Sequence, residues 1–307
     1  MQTLLYYNTG NSFKIKKADK IPYVFRCKGE PPVKFGMPTL VECPDLRACM
    51  ILCRQLGLDF LEINMSFPQY LPNVLDIKEL RRLQKESGAE YTLHLDEQLN
   101  PFDFNEKIAS AYEALTCDSI RLSKKLGIRR LNMHLPVGVY VTLPDKRIYL
   151  SDIYWSFYEK KVLAFAKMCQ TETKDTEILL CIENTDSLKT GWTEAHRKAI
   201  DILLSHSCFG LTLDTGHEII TEFRDRTIFE KHQEKLCHIH LHDATKTKGP
   251  HLPLGEGIVD IPAMLNLASE KDATCLIEVK TIAGLKSSVV YLQERGFLPC
   301  KISNGIH

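Results

Sequence analysis

The sequence carries no excess charge of either sign: lysine plus arginine number 39, and aspartate plus glutamate also number 39. That balance removes the broad basic footprint on which nucleic-acid binders rely, so nucleic acid is not the expected partner. The chain also lacks any CxxC pair. Its 11 cysteines are odd in number and scattered, several inside apolar runs (Cys181, Cys237, Cys275). This argues against a zinc ribbon and for buried free thiols in a reducing cytoplasm. No uncharged apolar run approaches the roughly 18 residues that cross a membrane. The opening MQTLLYYNTGNSFKIKK turns polar too soon to read as a secretory h-region. Low-complexity segments and sequence repeats of roughly 20–50 residues are missing too.

What is there is a regular alternation. With 307 residues and 44% hydrophobic content, one large core is affordable, and a single barrel of about 250 residues plus extensions fits the length. Residues 1–35 carry Pro22, Pro31 and Pro32 and no clear period, and read as an N-terminal extension; residues 298–307 read as a tail. Between them, residues 36–297 alternate short apolar strands with amphipathic helices. Strands are expected at Thr39–Glu42, Asp59–Asn64, Glu90–Leu95, Arg129–Leu135, Glu177–Glu183, Gly210–Asp214, Leu236–His242 and Thr274–Val279. Helices are expected at Asp45–Leu56, Ile77–Ser87, Asn105–Leu126, Ser151–Gln170, Thr193–Ser205, Thr227–Lys235, Ile261–Ser269 and Ser287–Arg295. Gly57, Gly88 and Gly127 close the first three helices as C-caps. Eight such units predict an α/β fold, a (β/α)8 TIM barrel; an open doubly wound sheet is the alternative that pattern alone allows.

Three loops at strand C-termini are aromatic: Phe67–Gln69–Tyr70, Phe102–Phe104, and VYVTLPDKRIYL, a small hairpin turning at Pro144–Asp145. They suit stacking on a small polar substrate, or packing on one another as a lid. The chemistry lies at the strand ends. Strands three to eight are apolar until their ends, then deliver His94, His134, Glu183, Asp214, His240 and Glu278. In a barrel these ends converge on one face. Strand alternation agrees: in HIHLH, His238, His240 and His242 share the inner face, while Ile239 and Leu241 face the helices. Asn132 with His134, and Cys181 with Glu183, turn inward the same way. Taken singly, each group reads as a hydrogen-bonded core histidine or a salt-bridged acid. Together, several inward carboxylates repel unless a cation joins them, and mixed His and carboxylate ligands suit Mn²⁺, Zn²⁺, Co²⁺ or Fe²⁺.

The phrases LNMHLP, CIENTD, LDTGHE, HIHLHDA, HLPLGEGIVD and IEVK resemble the xylose isomerase-like barrel superfamily over roughly residues 36–297. That superfamily holds sugar isomerases, ketose 3-epimerases, inosose dehydratases and the endonuclease IV class of abasic-site nucleases. The resemblance implies that Glu183, Asp214, His240 and Glu278 are the ligands of a shared metal. It matches His94 and His134 to positions that bind a second metal in the nucleases and line the sugar pocket elsewhere. His217 and His251 match two ligands of the nucleases' third metal. The third is an aspartate where this chain has Gly249, which leaves the three-metal site incomplete unless Asp243 compensates. The epimerases' second substrate-contacting glutamate, about six residues after Glu183, is here Lys189. The family includes dimers and tetramers, so a homo-oligomer is compatible with it.

The resulting expectation is a divalent-metal-dependent isomerase, epimerase or related lyase acting on a small sugar or polyol derivative through a metal-stabilised enediolate. Glu183 and Glu278 would exchange the proton, and His217 would shuttle it or hold Asp214. His94, His134, Lys246 and Glu62 are the candidate substrate contacts. Lys248 and Lys280 could join Lys246 on an anionic substituent, unless they are solvated surface lysines. Glu62 could instead sit under the site or pair with Arg130, and Glu256 reads as structuring its loop. The alternative is a zinc phosphodiesterase acting on abasic DNA with two or three metals, which the His94 and His134 pair supports and which the zero net charge, the missing aspartate and the lack of an arginine-rich loop set oppose; of the basic clusters Lys14–Lys16–Lys17 and Lys124–Lys125, the second reads as the outer face of a helix. A third reading is a non-catalytic metal- or ligand-binding barrel.

Overall fold

The computed structural model describes residues 33–188 and 191–299. The expected extension before residue 33, Lys14–Lys16–Lys17, Lys189 and the tail from residue 300 lie outside the described residues. Eight parallel strands close into a barrel: β1 Phe35–Pro38, β2 Phe60–Asn64, β3 Glu90–His94, β4 Arg130–His134, β5 Leu179–Glu183, β6 Phe209–Asp214, β7 Leu236–Leu241 and β8 Thr274–Ile277. Each strand pairs with its sequence neighbours, and β1 pairs with β8 to complete the ring. The open-sheet alternative is thereby excluded. Helices follow the strands and bury one face against them, so the core is the shell between barrel and helices.

The helix limits follow from local chemistry. Asp45, Asp76, Asn105 and Thr193 sit at N-caps, each side chain accepting a backbone N–H of the first turn. Gly88 and Gly127 end their helices in the left-handed conformation, with φ of 69° at both, which a side chain would strain. The expected helix at Ser151–Gln170 is two, Leu150–Ile153 and Trp155–Glu172, separated at Tyr154. The region expected as helix Thr227–Lys235 is a short helix, Arg226–Lys231, followed by a 3-10 turn, Gln233–Lys235.

Four further elements correct the sequence reading. The first strand is Phe35–Pro38, not Thr39–Glu42. Gly36 suits it because the Phe60 ring fills the space a Cβ would take, and only the Thr39 N–H continues the ladder, donating to the Glu62 carbonyl at 2.8 Å. A helix at Thr215–Ile220 and a hairpin of Asp243–Thr245 with Gly249–Leu252 were not expected. The last helix begins at Ile282, not Ser287, because Thr281 caps it and Gly284 packs close to Pro253. Strand β7 carries a bulge against β6: Leu211 pairs with Leu236 and Thr212 with His238. Cys237 is therefore the extra residue, and its thiol turns toward Cys181, 3.3 Å away, over Gly210. The nine described cysteines are all free. No described helix is long and apolar enough to cross a membrane.

Candidate active site

Strand register brings the polar ends together. His134 pairs in register with Glu183, Asp214 with His240, and His94 with Asn132. Glu183, Asp214, His240 and Glu278 each offer a ligand atom, and these atoms lie within 4.8 Å of one another. All four residues are buried. His240 Nδ1 is 3.2 Å from Glu183 Oε1 and 3.0 Å from Glu278 Oε2. None of those three atoms makes a hydrogen bond of good geometry. They face a common point rather than one another.

The electrostatics of the cluster call for positive charge. Burial disfavours a charged His240, but the carboxylates of Glu183, Glu278 and Glu62 more than offset it and push the ring well above its ordinary value. Burial also works against an ionised Glu183, and His240 and His134 hold the carboxyl well below the usual range. Glu278 behaves alike: burial raises it, while Lys280 and His240 pull it well below that range. Three carboxylates and one imidazole, with unpaired oxygens and nitrogen converging, are a donor set that fits a divalent cation.

The supporting contacts hold each of these side chains in one orientation. Glu183 Oε2 receives the amide of Asn132, with His134 Nε2 at 3.2 Å and His94 Nε2 at 3.5 Å. Asp214 Oδ1 accepts the His217 backbone N–H at 2.6 Å, capping helix Thr215–Ile220, and Oδ2 lies 2.9 Å from His242 Nε2. Asn184 locks β5 to β6 by donating to the Asp214 carbonyl and accepting its N–H, at 2.9 and 2.8 Å. Lys280 Nζ sits 2.7 Å from Glu278 Oε1, leaving Oε2 toward His240. Sequence reasoning placed Asn132 and His242 on the inner face but assigned them no role. It overlooked Asn184, whose signal was an Asn directly after a strand-ending Glu.

The other expected residues divide. His217 Nδ1 lies 3.0 Å from the Asn184 carbonyl and 3.4 Å from Asp214 Oδ1, beside the cluster. His217, His242 and His251 bring ring nitrogens within 4.8 Å of one another. Both His242 nitrogens are engaged, however: Nε2 with Asp214, and Nδ1 accepting the His251 N–H at 2.8 Å. Asp243 does not replace the missing aspartate. Its oxygens accept the N–H groups of Ala244, Val259 and Gly255 at 2.9, 3.0 and 3.0 Å, tying down the loop that ends the hairpin. Gly249 sits at φ 85° and carries no side chain.

Glu62 lies beneath the cluster, between His238 and His240, and is fully buried. Its partner is not Arg130, whose Nε donates to the Cys237 carbonyl at 2.9 Å. Lys246 is exposed and paired with Glu222 at 2.5 Å, outside the cluster. The aromatic loops pack largely on protein: Phe102 is buried against Tyr158 and Phe165, Phe104 meets Tyr154 and Phe157, and Phe67 meets Tyr70. The Tyr140–Thr142 and Arg147–Tyr149 strands form the expected hairpin.

The family described as xylose isomerase-like TIM barrel matches residues 51–295 of the chain. No curated protein matches it in sequence. Among solved structures, a D-tagatose 3-epimerase-like protein superposes with a TM-score of 0.67 at 24% identity, covering 85% of this chain and 96% of that one. The apo 3-keto-D-glucoside 4-epimerase YcjR from E. coli gives 0.65 at 16%, covering 85% and 99%. An L-ribulose 3-epimerase gives 0.64 at 16%, covering 86% and 94%.

Proposed function

Since this chain belongs to the xylose isomerase-like TIM barrel family, we propose that it is a divalent-metal-dependent isomerase, epimerase or related lyase for a small sugar or polyol derivative. The observation that carries this reading is the buried Glu183–Asp214–His240–Glu278 cluster, in which Glu183 Oε1, His240 Nδ1 and Glu278 Oε2 converge without hydrogen-bond partners. The sugar class is supported by the likeness to proteins described as D-tagatose 3-epimerase-like and L-ribulose 3-epimerase. When bound, a divalent cation such as Mn²⁺, Zn²⁺, Co²⁺ or Fe²⁺ would supply Lewis-acid polarisation of the substrate's adjacent carbonyl and hydroxyl oxygens, acidifying the C–H bond of the hydroxyl-bearing carbon.

The protein's part is to hold and move protons. Glu183 and Glu278 flank the His240 ring and are the pair that removes and returns the carbon-bound proton. Asn132 and His94 keep Glu183 pointed at the centre. His134, less buried than its neighbours, links Glu183 to the mouth as a proton route. Lys280 holds one oxygen of Glu278 and directs the other inward.

One observation favours the phosphodiesterase reading: His94 and His134 both reach Glu183 Oε2, as a second metal would require. The engagement of both His242 nitrogens and the bare Gly249 count against a third. Elemental analysis of wild type, Glu183→Gln, His134→Ala and His251→Ala separates the readings. A single metal per chain, lost in Glu183→Gln and kept in the histidine variants, with turnover in a sugar and polyol panel, is the expected result. Two or three zinc ions, some lost with His134 or His251, together with cleavage of abasic DNA, would favour the nuclease. Metal without turnover on either would leave a binding barrel, and no metal at all would remove every one of these mechanisms.

A further inference from the structure

Glu62 is the fourth carboxylate of the barrel interior, and nothing in the proposed chemistry uses it. A carboxylate buried to this degree costs several kcal/mol unless it is paired and hydrogen-bonded. Its partners are specific. Oε2 accepts the Thr92 hydroxyl at 2.9 Å and lies 3.3 Å from His238 Nε2, while Oε1 lies 3.3 Å from His240 Nε2. His238 Nδ1 is in turn 2.6 Å from the Thr274 hydroxyl.

One proton pattern satisfies this chain. The Thr274 hydroxyl donates to His238 Nδ1, so that ring carries its proton on Nε2, facing Glu62. The reverse assignment would aim a ring lone pair at a carboxylate. The same logic applies to His240. To act as a ligand the ring must give up one proton, and a neutral imidazole then has one N–H and one lone pair. With the proton on Nε2 toward Glu62, the lone pair sits on Nδ1, which faces Glu183 and Glu278. The ring contacts with Glu62 lie off the N–H axes, so the carboxylate acts on His240 through its charge as much as through direction. An anion behind a ligating imidazole raises the basicity of the nitrogen in front.

Given the cation site proposed above, on which this assignment rests, we propose that Glu62 is a positioning residue that fixes the His240 tautomer and strengthens Nδ1 as a ligand. Glu62 therefore acts from beneath the centre and does not touch substrate.

The experiment titrates chelator-stripped, full-length protein with Co²⁺, whose visible absorption reports ligand geometry. Wild type and Glu62→Gln are both expected to bind a single Co²⁺. The variant should bind about 10–100-fold more weakly, with a shifted visible band. Thr92→Val, which removes only the hydroxyl anchoring Glu62, should weaken binding in the same direction, by about threefold. It decides the matter alone if Glu62→Gln does not fold. Unchanged affinity and spectrum, with or without a lower melting temperature of the metal-free form, would overturn the role of Glu62 and leave the cation site standing. Failure of wild type to bind Co²⁺ would overturn the cation site and this role with it. A second Co²⁺ in wild type that is lost in Glu62→Gln would replace the positioning role with direct ligation.

Discussion

Gly216 gives the sharpest link between packing and the site. It lies in the first turn of helix Thr215–Ile220, and a Cβ there would fall inside the van der Waals envelope of the His242 ring, at Cε1 and Nδ1. That ring holds Asp214 Oδ2 at 2.9 Å and the His251 N–H at 2.8 Å. In Gly216→Ala the ring must either endure the overlap or turn away. Overlap in a packed interior costs about 1–3 kcal/mol. Turning away forfeits a bond to a charged acceptor, about 1.5–3 kcal/mol, and a neutral one, about 0.5–1.5 kcal/mol. Whichever route the ring takes, the loss is about 1–4.5 kcal/mol. At roughly 2 °C per kcal/mol for a domain of this size, the melting temperature should fall by about 2–9 °C. Gly88→Ala is the control: nothing lies near its Cβ position, and only the positive φ is strained, at about 1–2 kcal/mol. Thermal unfolding followed by circular dichroism makes the measurement, with metal affinity measured in parallel. If Gly216→Ala melts no lower than Gly88→Ala and binds metal as wild type does, the ring is not held as described and the reasoning fails.

Further outcomes follow from the same contacts. Asp243→Asn sets an amide N–H₂ against a backbone N–H, at Gly255 or at Ala244 and Val259; limited proteolysis between residues 249 and 259 should quicken, and unchanged cleavage would refute the loop-anchor role. His196 is buried and held neutral: desolvation lowers its value from 6.5, its Nε2–H donates to the Pro136 carbonyl at 3.0 Å, and Nδ1 lies 2.8 Å from the Thr193 hydroxyl. Because the unfolded ring binds a proton more readily, its contribution is present above about pH 6.5 and lost as pH falls through the lower folded value. His196→Gln should lose less melting temperature than wild type between about pH 7 and about pH 5, and parallel profiles would contradict this. Added Mn²⁺ or Co²⁺ at 100 times its dissociation constant should stabilise the stripped protein by about 2.7 kcal/mol, a rise of roughly 5 °C; no rise would count against the cation site.

Much of the barrel was legible in the sequence, because strand and helix periods differ and the polar strand ends broke an otherwise apolar rhythm. Helices with a side-chain cap and a closing glycine, Ile77–Ser87 above all, emerged at their true limits. The first strand did not, because FGMP holds a glycine and a proline that disfavour strands in isolation. The Phe60 ring lying over Gly36 explains the glycine. Helix Thr215–Ile220 was hidden for a related reason: Asp214 was read as a strand end, and its second role as a cap depends on the turn that follows.

The sequence by itself determined which residues face inward, since alternation along a strand is a property of the backbone. That was enough to nominate His94, His134, Glu183, Asp214, His240 and Glu278, from which the family resemblance singled out the last four as ligands. It could not determine which of the remaining polar groups touch them. Lys246 and Lys280 read alike in sequence, yet one pairs with Glu222 on the surface and the other with Glu278 at the centre. Asp243 read as a group that could stand in for the missing aspartate until the backbone N–H groups of Ala244, Gly255 and Val259 claimed its oxygens. Glu62 read equally as a substrate contact, a group under the site or a partner of Arg130 until the strands closed into a ring and set two histidines from β7 against it. Glu62 and its histidines are far apart in sequence, and only the closure of the barrel, which sets strand stagger and depth, brings them within reach of one another.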